Sequence, residues 1–137
     1  IESLIDKNAI VICCGGGGIP VISKDGHFVG VPAVIDKDRL SALLAIQMNV
    51  DALIISTAID SVRTGFGSED EQKHQKMTIE QAKTHLANGE FPDGSMGPKV
   101  TSAIEAVEAL TNLKSIICQP GDAVKALRGE SGTIFVK

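Results

Sequence analysis

The chain has no tryptophan and no tyrosine, and four phenylalanines are its only carbocyclic rings. Without aromatic platforms it is poorly equipped to stack bases, which argues against single-stranded RNA readers. A basic block is missing too. Thirteen Lys and Arg stand against seventeen Asp and Glu, a net charge of −4, so no nucleic-acid partner is expected. No apolar run approaches the roughly 18 residues of a membrane span, and no signal peptide opens the chain. A cytoplasmic setting with no membrane partner is the expectation.

Cysteine is scarce. Cys13, Cys14 and Cys118 lack C-x-x-C spacing and sit in or beside apolar runs, so buried free thiols in a reducing compartment are expected. His27, His74 and His85 have no metal-ligand spacing and stand in polar surroundings, which reads as solvated surface. No Ser–His–Asp or Cys–His arrangement can be argued from spacing, and no protein-held metal site is expected.

What is present is a chain of 137 residues, 43% apolar, enough for one domain with a core of Ile, Val, Leu and Ala. Residue 1 is Ile, and Ile1-Glu2-Ser3-Leu4-Ile5 reads as the end of a helix, so the chain reads as a piece of something longer. Ala9-Ile10-Val11-Ile12 predicts a buried strand. Gly15, Gly16, Gly17 and Gly18 follow, free to take positive φ and to bring bare N–H groups close to a ligand. Pro20-Val21-Ile22 and His27-Phe28-Val29, flanking Asp25-Gly26, predict a hairpin. Val31-Pro32-Ala33-Val34-Ile35 predicts a further extended piece. Asp38 is placed to cap the next helix, with Leu40, Leu43, Leu44 and Met48 on its inner face.

Asp51-Ala52-Leu53-Ile54-Ile55-Ser56-Thr57 is a continuous apolar run of the kind found in parallel sheets covered on both faces. Residues 60–77 are polar and predict a long exposed loop, often functional in a compact domain. Thr78-Ile79-Glu80-Gln81 matches a capping box, with Gly89 at the helix stop. Pro98 at the first helical position would open another helix, with Val100, Ala103, Ile104, Val107 and Leu110 at helical spacing. Ser115-Ile116-Ile117-Cys118 and Thr133-Ile134-Phe135-Val136 predict strands, with a short helix over 122–127 between them. The fold class is α/β: a mostly parallel sheet sandwiched by helices, with a β-hairpin excursion, in one domain over 1–137.

Open α/β sheets bind ligands at strand ends. Polar groups gather at such loops in the glycines, in Asp36-Lys37-Asp38 and in Thr57-Ala58-Ile59-Asp60. Gly94-Ser95-Met96-Gly97-Pro98-Lys99 adds a helix N-terminus suited to an anion. Lys99 sits at the helix end that disfavours cations, so it is either a solvated surface lysine or a charge added to a bound phosphoryl group. Lys37 is either a second such charge or half of a surface ion pair. Asp38 caps a helix, orients Lys37, or does both. Ser56, Thr57 and Asp60 contact a ribose or base, or are turn residues. The glycine run itself has no following Gly-Lys-Ser/Thr and does not open a helix, so it matches neither common nucleotide fingerprint.

Taken together, Gly15-Gly16-Gly17-Gly18-Ile19-Pro20-Val21, Ala33-Val34-Ile35-Asp36-Lys37-Asp38, Gly94-Ser95-Met96-Gly97-Pro98-Lys99-Val100 and Gly132-Thr133, in this order, resemble the carbamate kinases of the amino-acid kinase family. The resemblance covers the whole chain but only the C-terminal, nucleotide-binding half of that family. It implies reversible phosphoryl transfer between ATP and carbamate with Mg²⁺, in arginine catabolism, by a full-length homodimer. It places Lys37 and Lys99 on the phosphoryl groups with Asp38 orienting them. Thr57, Ala58, Asp60 and Met96 fall along the nucleotide, and Gly15, Gly16, Gly17 and Gly18 beside the carbamate. Arg63 stands where the family often has Tyr beside the adenine. A non-catalytic nucleotide-binding domain, or a kinase acting on a carboxylate such as that of N-acetylglutamate, are the alternatives.

Overall fold

The computed structural model describes residues 1–137. A one-turn helix, α1 (Glu2–Ile5), leads into an extended segment and then into the predicted hairpin of β1 (Val21–Lys24) and β2 (His27–Gly30). Asp25 and Gly26 both take positive φ at its turn, 49° and 78°, matching the twist of the flanking strands. The segment before the hairpin departs from expectation. Residues 10–13 are not a strand: they make no backbone hydrogen bond, and Ile10 and Ile12 are 97% and 100% exposed. Their apolar character suits a sheet, but no strand of this chain pairs with them, and extended backbone without a partner is not a strand. Residues 31–35 are likewise outside any sheet.

Helix α2 (Lys37–Gln47) is followed by β3 (Ala52–Ser56), β4 (Val62–Thr64), β5 (Gln72–His74) and β6 (Lys76–Thr78). Next come α3 (Ile79–Ala87), α4 (Met96–Ala109), β7 (Lys114–Cys118), α5 (Ala123–Leu127) and β8 (Thr133–Val136). The central sheet runs β3-β7-β8-β6, with β3 parallel to β7, β6 parallel to β8, and only the β7–β8 pair antiparallel. Most of the core lies on one face, where Leu53, Ile55, Ile117 and Phe135 meet Val100, Ala103 and Val107 of α4. Ile116, Cys118 and Ala126 form a smaller cluster around α5.

Three expectations are corrected here. Asp36, not Asp38, caps α2: its Oδ1 accepts from the N–H groups of Asp38 and Arg39, both at 2.9 Å. The inner face of α2 carries Ala42 and Ala45 rather than the leucines, because α2 packs against α4 and small residues let the two backbones approach. Helix α4 starts at Met96, which puts Pro98 third, still in the first turn where its missing N–H costs nothing.

Residues 60–77 are also not an exposed loop. They hold the β4–β5 ribbon and β6, and bury Ser61, Val62, Thr64 and Met77. Their polarity reflects charged side chains paired with one another, while every second residue of β4 turns inward. The capping box on α3 forms as expected, with Thr78 and Gln81 each accepting from the other's backbone, and Gly89 at φ 73° ends the helix.

Thr133 holds the ribbon to the sheet. Its buried Oγ1 accepts from Val62 N–H at 2.8 Å and donates to the His74 carbonyl. Thr133→Val keeps the shape and strands both groups, so we expect a loss of about 1–3 kcal/mol in urea unfolding with little change in slope.

Candidate functional site

Two helix N-termini converge beside the glycine run. The Asp36 cap fixes the first turn of α2 so that Lys37 lies outward, with 61% of its side chain exposed, while Asp38 is buried. Lys99, one turn into α4, has only 12% of its side chain exposed and places Nζ 2.7 Å from Asp38 Oδ2. Lys37 Nζ lies 3.5 Å from the same oxygen. The structure therefore brings Lys37, Asp38 and Lys99 together, and Lys99 is not a solvated surface residue. Its positive charge sits at the unfavourable end of α4, and the buried Asp38 carboxylate compensates it. A second link, Arg39 to Glu105 at 3.1 Å, spans the same helix pair.

The glycine run reaches this corner through Gly17. A Cβ there would stand 2.0 Å from the Ile35 carbonyl oxygen, and φ is 130°, so only glycine fits against the residue preceding the Asp36 cap. Gly15 and Gly18 also hold positive φ, and Gly15, Gly16 and Gly18 are exposed with open space where a Cβ would be. Gly17 thus answers to packing, and the other three face open space.

Met96 opens α4 and lines a cleft of about 470 Å³, a size suited to a small organic ligand, together with Ile59, Arg63, Phe66, Glu90 and Pro92. Thr57 follows β3, its N–H donating to the Cys118 carbonyl at 2.9 Å, and Ala58 is exposed beside it. Asp60 is bound up in charge pairs, with Lys73 at 2.8 Å and Arg63 at 3.1 Å, and Arg63 also grips Glu71. Hydrogen bonds from Lys73, then from Arg63, hold the Asp60 carboxyl down to about 2. The Gly67 N–H, then Arg63, lowers Glu71, and those two carboxylates raise Arg63. Arg63 is thus held at the cleft wall by Asp60 and Glu71.

Sequence reasoning missed Phe66, Glu90 and Pro92. Glu90 accepts from the Gly65 N–H at 2.8 Å, tying the β4 end to the α3–α4 connection. The available signal was Gly65-Phe66-Gly67: a large apolar ring between glycines, 71% exposed in a polar stretch. The histidine reading also needs correction. His74 and His85 are half-buried with rings 5.8 Å apart, and His85 meets Phe91 edge-on. His74 Nε2 lies 2.8 Å from Thr64 Oγ1, and burial first, then the charge of His85, lowers its basicity. The cysteines divide: Cys118 is buried, Cys14 half-buried and Cys13 exposed.

A mostly parallel α/β sheet whose charged groups gather at strand ends and helix N-termini defines the class. The amino acid kinase family model matches residues 1–119, and the chain belongs to that family. It is 42% identical over 137 residues to the carbamate kinase of Staphylococcus haemolyticus, covering 100% of this chain and 44% of that protein. It is 43% identical over 136 residues to the carbamate kinase of Halobacterium salinarum, covering 99% and 44%. Among solved structures it superposes on the Giardia lamblia carbamate kinase bound to AMP-PNP with a TM-score of 0.93 and 41% identity, covering 99% of this chain and 43% of that one. The chain therefore spans less than half the length of these relatives. Uridylate kinase from Archaeoglobus fulgidus, at TM-score 0.57 and 20% identity, shares the fold alone.

The Asp60 pairs make a pH prediction. A carboxylate held at about 2 when folded, against 3.8 ordinarily, contributes stability above pH 4 that is lost as pH falls toward 2. Urea midpoints of the native chain should drop more between pH 5 and pH 2.5 than those of Asp60→Asn, and parallel curves would contradict this. The pairs are half-exposed, so solvent screening keeps the difference small.

Proposed function

We propose that this chain is the nucleotide-binding lobe of a carbamate kinase, which transfers a phosphoryl group reversibly between ATP and carbamate. The observation that carries the reading is the Lys99–Asp38–Lys37 cluster, at two helix N-termini and beside a glycine run packed on Ile35. Phosphoryl transfer leaves the protein little covalent work; what accelerates it is alignment and neutralisation of charge on the transferring group. Lys99, held by Asp38, is set in place before substrate arrives, so little reorganisation is needed. Lys37, exposed and only loosely held, moves to follow the phosphoryl oxygens. A carbamate oxygen is already anionic, so no general base is required.

Gly15, Gly16, Gly17 and Gly18 would carry the carbamate side, where a small planar acceptor approaches bare backbone. Thr57, Ala58, Asp60 and Met96 would follow the nucleotide, with its base in the Phe66–Arg63 cleft and Arg63 offering a flat cation to the ring. Asp38 is already engaged by both lysines, so Mg²⁺ in this reading is held by phosphate oxygens rather than by this chain, and it supplies charge neutralisation. A homodimer, a cytoplasmic setting and the direction of ATP synthesis in arginine catabolism belong to the same reading.

In the complete enzyme, Lys99→Met should lower turnover of carbamoyl phosphate and ADP to ATP by about 10²–10³-fold. That variant also strands the buried Asp38, which costs stability, so the Asp38→Asn/Lys99→Met double variant serves as the folded control. Full turnover in either would remove Lys99 from the mechanism. The 137-residue chain alone should bind ADP by calorimetry yet form no ATP.

A further inference from the structure

Two adjacent thiols open the glycine run, and phosphoryl transfer makes no use of them. In extended backbone, neighbouring side chains point to opposite faces. Cys14 instead takes φ 67°, rare for a residue with a Cβ, and the turn brings the sulfurs to one side. Cys14 Sγ–H donates to Cys13 Sγ across 3.8 Å. Two sulfurs each about 2.3 Å from one pyramidal atom, at a bond angle of about 95–105°, stand roughly 3.4–3.6 Å apart, so the pair needs to close by only a few tenths of an ångström. The pair is thus spaced for a single bridging atom, whereas a disulfide would need the sulfurs to close to about 2.05 Å and would need an oxidant.

A second observation concerns what could accompany that atom. Cys13 and Cys14 line an apolar cleft of about 460 Å³ with Val11, Leu44, Met48 and Ala52. Its walls suit an aryl or alkyl substituent and offer almost nothing to a hydrated ion.

We propose that Cys13 and Cys14 form a dithiol clamp for a thiophilic centre bearing an apolar group, the chemistry represented by a trivalent aryl arsenical. Capture is a condensation. Two As–S bonds form, the arsenic–oxygen bond breaks, and the oxygen leaves as one water with both thiol protons, so neither sulfur nor arsenic changes oxidation state. The Cys13 hydrogen bond raises the Cys14 thiol above its ordinary range, and a condensation that consumes protonated thiols tolerates this. Occupancy reaches the phosphoryl site through the backbone. The Gly17 N–H donates to the Cys14 carbonyl at 3.1 Å, and Gly17 packs on Ile35, next to the α2 cap. This coupling rests on the kinase reading above; the clamp itself does not.

The test is intact-mass analysis of the 137-residue chain after phenylarsine oxide. One phenylarsenic per chain is expected, resistant to excess glutathione and removed by 2,3-dimercaptopropanol. Cys13→Ser and Cys14→Ser should each lose it, and Cys118→Ser should keep it. Phenylarsine oxide should outcompete its methyl counterpart. No adduct, stripping by glutathione, or retention in either of the first two variants overturns the clamp, and equal affinity of phenyl and methyl overturns the role of the cleft. In the complete enzyme, turnover should fall in step with adduct formation. An adduct that leaves turnover unchanged overturns the coupling alone, and absence of any kinase activity overturns the kinase reading without touching the mass result.

Discussion

Asp38 and Lys99 are 61 positions apart and share one short ion pair between the first turns of two helices. Burying either charge alone would cost several kcal/mol, so neither helix can settle in this position without the other. The pair joins the first turns of α2 and α4, and the buried alanines of both helices let them pack closely enough for it to form. Everything at the corner follows from that registration. The cap places Lys37 outside, Ile35 presents its carbonyl to Gly17, and Met96 opens onto the cleft. The carboxylate that permits a lysine at a helix N-terminus also fixes where its ammonium group lies.

The β4–β5 ribbon plays the matching part at the other end of the site. It is too short to stand alone, and it holds its place through Thr133 and Glu90, which reach it from β8 and from the α3–α4 connection. Its outward face is a chain of alternating charges, Lys73 to Asp60 to Arg63 to Glu71. Such a network stiffens a surface more than it stabilises a fold. The gain is a fixed guanidinium at the wall of a cleft whose rim is an exposed ring.

Elements whose stabilising partners are close in sequence were legible. The Asp-Gly hairpin, the Thr78 capping box and the Gly89 stop are local devices, and each formed as read. The apolar runs of β3, β7 and β8 were also plain: β7 is buried on both faces, while β3 and β8 bury every second residue and half-bury most of the others. What failed depended on distant partners. Residues 9–12 have the composition of a strand, but composition cannot say whether a neighbouring strand exists. Residues 60–77 read as loop because ion pairs among Asp60, Arg63, Glu71 and Lys73 make a strand ribbon look polar. For the site, Lys37, Asp38 and Lys99 were singled out as a group and their side chains do lie together, yet the depth of Lys99 followed from an aspartate 61 residues earlier. Phe66 was missed because an exposed ring has no periodicity to betray it.

Strand β3 has a neighbour on one side only, and its Ala52, Leu53 and Ile54 share a cleft with Val11 and Cys13 of the apolar segment 10–13, which has no backbone partner. An open strand edge beside unsatisfied extended backbone is a template for pairing between molecules. Neither a charge nor a proline protects residues 9–14, and Ile10 and Ile12 are fully presented to water. Handled by itself at high concentration, the chain is therefore prone to associate along this edge, and its colloidal behaviour is governed by a handful of apolar residues outside the Lys37–Asp38–Lys99 cluster.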